Sequence, residues 1–156
     1  MTCRVCQAET VRAGHLFRCK DETCGAAHWN KSAIRKLRKL NKDTAKEKSP
    51  DWISTLLVDG HVPEHVSGEH YVYKIRLRGG PVEGAKGRIY VGMTGLHPIA
   101  RYLNHLRGYK ASRIVRDYGT ALIGFEGPIS NEEARAREPA LASELRAQGY
   151  EVHGGH

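Results

Sequence analysis

Two short stretches, Tyr71-Val72-Tyr73-Lys74-Ile75 and Ile89-Tyr90-Val91-Gly92-Met93-Thr94, decide how this chain is read. Both alternate in the two-residue period of a strand with one buried face and are rich in Tyr, Val and Ile. Between them lie Gly79-Gly80-Pro81, Gly84 and Gly87, so residues 69–78 and 87–94 read as a β-hairpin with a long loop. Downstream, Pro98 opens a helix with Ile99, Leu103 and Leu106 facing inward, and Ala111 to Tyr118 forms a second helix closed by Gly119. Ala121 to Phe125 is a short apolar strand. Ser130, with Glu133 three residues later, makes a capping box for a last helix running to Gln148-Gly149. The order ββααβα predicts an α+β fold, a small three-stranded antiparallel sheet flanked by helices.

Upstream of the hairpin the chain changes character. All four cysteines fall in the first 24 residues, as Cys3-x2-Cys6 and Cys19-x4-Cys24. Two short-spaced pairs brought together by a hairpin offer four thiolates to one tetrahedral Zn²⁺. A segment whose large apolar residues are Leu16, Phe17 and Trp29 needs such a staple to fold. The x4 spacing leaves His15 or His28 open as a substitute ligand, and a redox role open for Cys3 and Cys6. Residues 1–30 are therefore expected to be a zinc-ribbon-like module with a structural zinc. Residues 31–68 are a basic helix and linker, and residues 69–156 the domain built on the hairpin. In the linker, His61 and His65 read as loop histidines, since Gly60, Pro63 and Gly68 oppose a helix there.

The formal charge is +8, unevenly placed. Residues 1–49 hold 12 Lys/Arg against 5 acids, residues 50–69 hold 4 acids and no Lys or Arg, and residues 70–128 hold 10 Lys/Arg against 3 acids. Two basic blocks imply two surfaces drawn to one polyanion. The densest run, Lys31 to Lys42, contains Arg35, Lys36, Arg38 and Lys39 beside an apolar stripe of Ile34, Leu37 and Leu40, which suits a helix along a DNA backbone. Nothing approaches the ~20 apolar residues of a membrane span. The N-terminus lacks a signal-peptide core, so the expected location is cytoplasmic, with no membrane partner.

Five residues in order suit the hydrolysis of a phosphodiester: Tyr73, Tyr90, Arg101, His105 and Glu138. Glu138 offers a hard oxygen to one Mg²⁺ (or Mn²⁺), the rest of whose shell is water and phosphate. Arg101 presents a fixed donor fork to the nonbridging oxygens where charge accumulates. A phenol beside Arg101 and a metal, Tyr73 or Tyr90, has its pKa lowered enough to deprotonate water. His105 lies one helical turn after Arg101, on the same face. Arg107, Lys110 and Arg113 read as DNA-backbone contacts.

This ordered set resembles the GIY-YIG nuclease superfamily over roughly residues 69–156. The resemblance implies a Mg²⁺-dependent DNA endonuclease that leaves a 5′-phosphate and a 3′-hydroxyl, with the α+β architecture already read from the elements. The Arg-x3-His spacing is similar to that of GIY-YIG restriction enzymes. Departures are Tyr71 in place of the family glycine, Val72 and Val91 in place of isoleucine, and no asparagine after Asn131. His153 is the nearest polar replacement for the family's late asparagine. Pro139 directly follows Glu138 and is expected to kink its helix, which leaves Glu132 or Glu133 as alternative ligands. A compact chain of this kind suggests a bacterial or phage setting. Duplex DNA is the expected partner, with a dimer or a partner protein as a further possibility. The rival readings are a catalytically weak DNA-binding or adaptor protein on the same scaffold, and a module whose zinc ribbon docks on a larger complex.

Overall fold

The computed structural model describes residues 2, 3, 5–13, 16–21, 23, 24, 26–29 and 66–156. The described elements follow in the order β1 Thr10–Ala13, β2 Leu16–Cys19, β3 Ala27–Trp29, β4 His70–Leu77, β5 Arg88–Thr94, α1 Pro98–Arg107, α2 Arg113–Tyr118, β6 Gly119–Ile129, α3 Asn131–Ala147 and β7 Glu151–Gly154. The expected basic helix at 31–42, with Arg35, Lys36, Arg38 and Lys39, falls outside the described residues, as do His15, the side chain of His28, and His61 and His65. No helix among the described residues is long and apolar enough to cross a membrane.

The expected α+β class holds, but the sheet is larger and mixed. Strand order is β1-β2-β3-β6-β4-β5-β7, antiparallel except that β7 runs parallel to β5. The domain built on the hairpin thus has four strands, β6-β4-β5-β7, where three antiparallel ones were expected. The added strand is four residues long and too short to show an alternation. The α3 crossover supplies the long return that a parallel neighbour requires. β6 likewise runs 11 residues rather than the expected five, because β3 and β4 both pair with it and Gly124 and Gly127 interrupt its apolar pattern. β3 pairs Ala27 with Leu122, so one sheet runs from the cysteine segment through to the C-terminus.

β4 is central and buried on both faces. Tyr73, Ile75 and Leu77 pack with Ile99, Tyr102, Leu103, Leu106 and Val115 of α1 and α2. Val72 faces the other way, with Ile89, Val91, Ala134, Leu141, Ala142 and Leu145, under α3. Residues 66–156 are therefore helix–sheet–helix in section. α3 opens on the expected capping box, Ser130 Oγ accepting from Glu133 N–H and Glu133 returning to Ser130 N–H. Pro139 sits inside this helix without ending it.

Candidate active site

The hairpin register sets the site. Tyr73 on β4 lies opposite Gly92 on β5, and Tyr90 opposite Ile75. A Cβ at position 92 would stand 2.7 Å from Tyr73 Oη and 2.9 Å from Tyr90 Cε1, so glycine makes the space the two phenols share. α1 crosses this face and contributes Arg101 and, one turn later, His105. His105 is fully buried and its Nε2 is 2.8 Å from Tyr73 Oη. Ring centroids of Tyr73, Tyr90 and His105 are 5.8 to 6.2 Å apart. Two backbone groups of the α1–α2 connection complete the arrangement. Ser112 N–H donates to His105 Nδ1 at 3.0 Å, and Arg101 Nη2 donates to the Lys110 carbonyl at 3.1 Å.

Burial dominates the electrostatics. It drives His105 down to about 3, with the nearby Arg101 cation adding to the shift. Burial also pushes Tyr73 above the ordinary phenol range. Tyr90 pushes the same way, and Arg101 draws it back through charge and hydrogen bonding. Arg101 by itself, without a metal, does not lower the Tyr73 phenol. Desolvation of a phenolate outweighs one partly exposed guanidinium.

Glu138 comes from the opposite side of the sheet, on α3. It is 8 % exposed, held above the usual carboxylate range by burial and drawn back by N–H groups of Gly155 and His156. Those residues continue β7 past Gly154, where a side chain would run into the Val91 carbonyl and crowd Tyr90. Gly155 also donates its N–H to the Val91 carbonyl at 3.1 Å, so the end of the chain lies between Glu138 and β5. A single buried carboxylate offers one hard oxygen donor, which fits a cation completed by water and phosphate. Glu133 spends its carboxylate on the capping box, and Glu132 is exposed at the start of α3.

The other residues divide clearly. His153 pairs across from Tyr90 but bonds Glu151 at 2.7 Å, and Glu151 also accepts from Arg88 and Val82 N–H. Lys110 and Arg113 are exposed beside the site. Arg107, expected as a DNA-backbone contact, is instead fully buried: its Nε donates to Asn104 Oδ1 and its guanidinium stacks on Tyr109. Grooves of about 420 and 310 Å³ open on the α3 face of the sheet around Lys74, Ile123 and Val5, away from the tyrosine cluster.

The cysteine site closes on itself. Cys3, Cys6, Cys19 and Cys24 place their sulfurs within 4.8 Å of one another, with Cys3–Cys24 at 3.8 Å and Cys6–Cys19 at 3.4 Å. Four sulfurs about 2.3 Å from one ion lie roughly 3.8 Å apart, so the cluster fits a tetrahedral metal with little adjustment. Burial and neighbouring thiols push Cys19 up to about 12 and burial pushes Cys24 up to about 11, as expected for crowded thiols that surrender protons only to a metal. Val5 N–H donates to Cys3 Sγ at 3.4 Å.

Sequence reading missed the two backbone partners on the α1–α2 connection. A main-chain donor or acceptor has no residue signature, and its target is visible only once the helix has turned. Gly92 did carry a signal, as a glycine inside a strand. No family model matches this chain, and neither curated proteins nor solved structures match it.

Proposed function

We propose that the chain is a GIY-YIG-type endonuclease that hydrolyses DNA phosphodiester bonds. The observation that carries this reading is the convergence of Tyr73, Tyr90, His105 and Arg101 on one face of the sheet, with ring centroids 5.8 to 6.2 Å apart. Glu138 would hold Mg²⁺ (or Mn²⁺), which supplies Lewis-acid polarisation of the phosphate. Arg101 receives the nonbridging oxygens, and Tyr90, the partly exposed phenol, orients the attacking water. Tyr73 accepts the proton of that water when it acts as a phenolate. Lys110 and Arg113 lie on the exposed side of the site for duplex backbone contact. The four cysteines hold a structural Zn²⁺.

The test is nicking of supercoiled plasmid with and without Mg²⁺, for the wild type and Glu138→Ala. Metal-dependent nicking that the variant loses supports the reading, and salt-sensitive binding without cutting by either protein sinks it. A second reading, a DNA-binding adaptor on this scaffold, is favoured by the Gly155 and His156 N–H groups already engaging Glu138. It predicts that last outcome.

A further inference from the structure

A neutral imidazole carries one N–H, and the hydrogen bond at one nitrogen decides what the other does. At His105 that decision is made by the main chain. Ser112 N–H points at Nδ1 at 3.0 Å, and an N–H can be received only by a lone pair. The ring proton is then on Nε2, which faces Tyr73 Oη at 2.8 Å. We propose that the Ser112 backbone N–H is a positioning group that locks His105 in the Nε2–H tautomer, so that the imidazole donates to Tyr73 and never takes its proton.

The cluster is thereby wired in one direction. Ser112 donates to His105 and His105 to Tyr73, which leaves the hydroxyl proton of Tyr73 for its neighbour Tyr90. Resting on the nuclease reading, this assigns the base to the phenol and makes His105 a stabiliser of phenolate charge. The same short connection fixes Arg101 through the Lys110 carbonyl, so both partners of Tyr73 are aimed by residues 108–112. Its shape is defined by Gly108 at φ 84° and Lys110 at φ 44°, both left-handed. Burial, which keeps His105 neutral, agrees with the geometry.

Proline at 112 is a sharp probe. Ser112 has φ −65°, the proline value, and its side chain makes no cap bond, so the local backbone accepts Ser112→Pro, which removes the N–H and sets the proline Cδ against His105 Nδ1, displacing the ring from that contact. The experiment is a two-bond ¹H–¹⁵N correlation spectrum of the histidine rings in the full chain at neutral pH, with His105 assigned from its loss in His105→Gln. Expected are the Nε2–H tautomer in the wild type and in Ser112→Ala, and loss of that preference in Ser112→Pro. An Nδ1–H ring or an imidazolium in the wild type overturns the proposal, as does an unchanged tautomer in a folded Ser112→Pro.

If Ser112→Pro does not fold, spectrophotometric titration of Tyr73 decides. His105→Gln, whose amide donates from the Nε2 position, keeps the Tyr73 titration near its wild-type place, and His105→Phe shifts it up. Equal shifts overturn the proposal. None of these readouts uses substrate, so a chain that cuts nothing fails the nuclease reading and leaves them standing. In a chain that does cut, an acidic limb of the nicking rate near pH 6.5 that His105→Gln abolishes would make His105 the base and sink this inference alone.

Discussion

Gly92 shows how much of the site depends on an absent atom. With a Cβ 2.7 Å from Tyr73 Oη and 2.8 Å from its Cζ, Gly92→Ala has to displace the phenol from His105. Overpacking of this kind costs about 1–3 kcal/mol, to be read by thermal unfolding, and nicking falls with it. Histidines add a pH signature. Burial holds His105 at about 3, and burial together with Arg18 holds His97 at about 4. Both titrate near 6.5 when unfolded. Between those values and pH 6.5 the unfolded chain binds more protons, so stability falls as pH is lowered, by roughly 1.4 kcal/mol per pH unit for each group. Above pH 6.5 both rings are neutral in both states and the dependence vanishes. Denaturant titrations from pH 7 to 4.5 check this, and His105→Gln removes about one proton of the uptake. For the proposed nicking activity the expected sign follows Tyr73. Because burial raises the phenol, the fraction of phenolate, and with it the nicking rate, climbs about tenfold per pH unit through the neutral and mildly alkaline range. A rate independent of pH from 7 to 9 would remove Tyr73 as the base.

The elements owe their stability to different things. α3 is set by its capping box, by the Arg137 fork bridging Glu126 of β6 to Glu144, and by an apolar face on β5 and β7. Ser130→Ala removes the cap and costs about 1 kcal/mol, measured by chemical denaturation. Since α3 carries Glu138, the same variant loosens the carboxylate. The short α2 has no side-chain cap and leans on Val115 in the core. Its place in the molecule is to end the connection that aims Arg101 and His105. β5 is legible in nearly every residue because it alternates, with Ile89 and Val91 under α3 and Tyr90 toward α1. β6 is less so, since bulges opposite β4 shift its register and break the period.

At the scale of the molecule, the cysteine cluster and the tyrosine cluster share one sheet. β3 pairs with β6, and the Cys24 carbonyl lies close enough to Gly124 that a Cβ there would meet it at 3.5 Å. Arg18 of β2 reaches the electrostatic surroundings of His97 at the start of α1. Metal release is therefore expected to loosen β6 as well as the cysteine turns. Hydrogen exchange with and without a chelator checks this: the Ala121 and Leu122 amides lose protection, and Cys24→Ser reproduces the effect. If exchange changes only before residue 30, the two halves are independent. Metal analysis of the purified chain is expected to give one zinc per molecule.

The hairpin, the helix starting at Pro98, the capping box at Ser130 and the paired cysteines were all readable along the chain. Each rests on local chemistry: alternation, a proline, a side chain reaching three residues on, two thiols on a tight turn. The candidate side chains Tyr73, Tyr90, Arg101 and His105 were named from their order along the chain and its resemblance to a nuclease family, which no local cue supplies. Long-range pairing was not readable. Four residues at Glu151–Gly154 become a parallel strand only because α3 returns them beside β5. Arg107, one residue past Leu106 on an otherwise basic stretch, looks exposed until the chain folds back and Tyr109 covers it. The direction of the His105–Tyr73 hydrogen bond depends on a main-chain N–H seven residues on. Every residue but proline carries such a group, and the fold alone determines where it points.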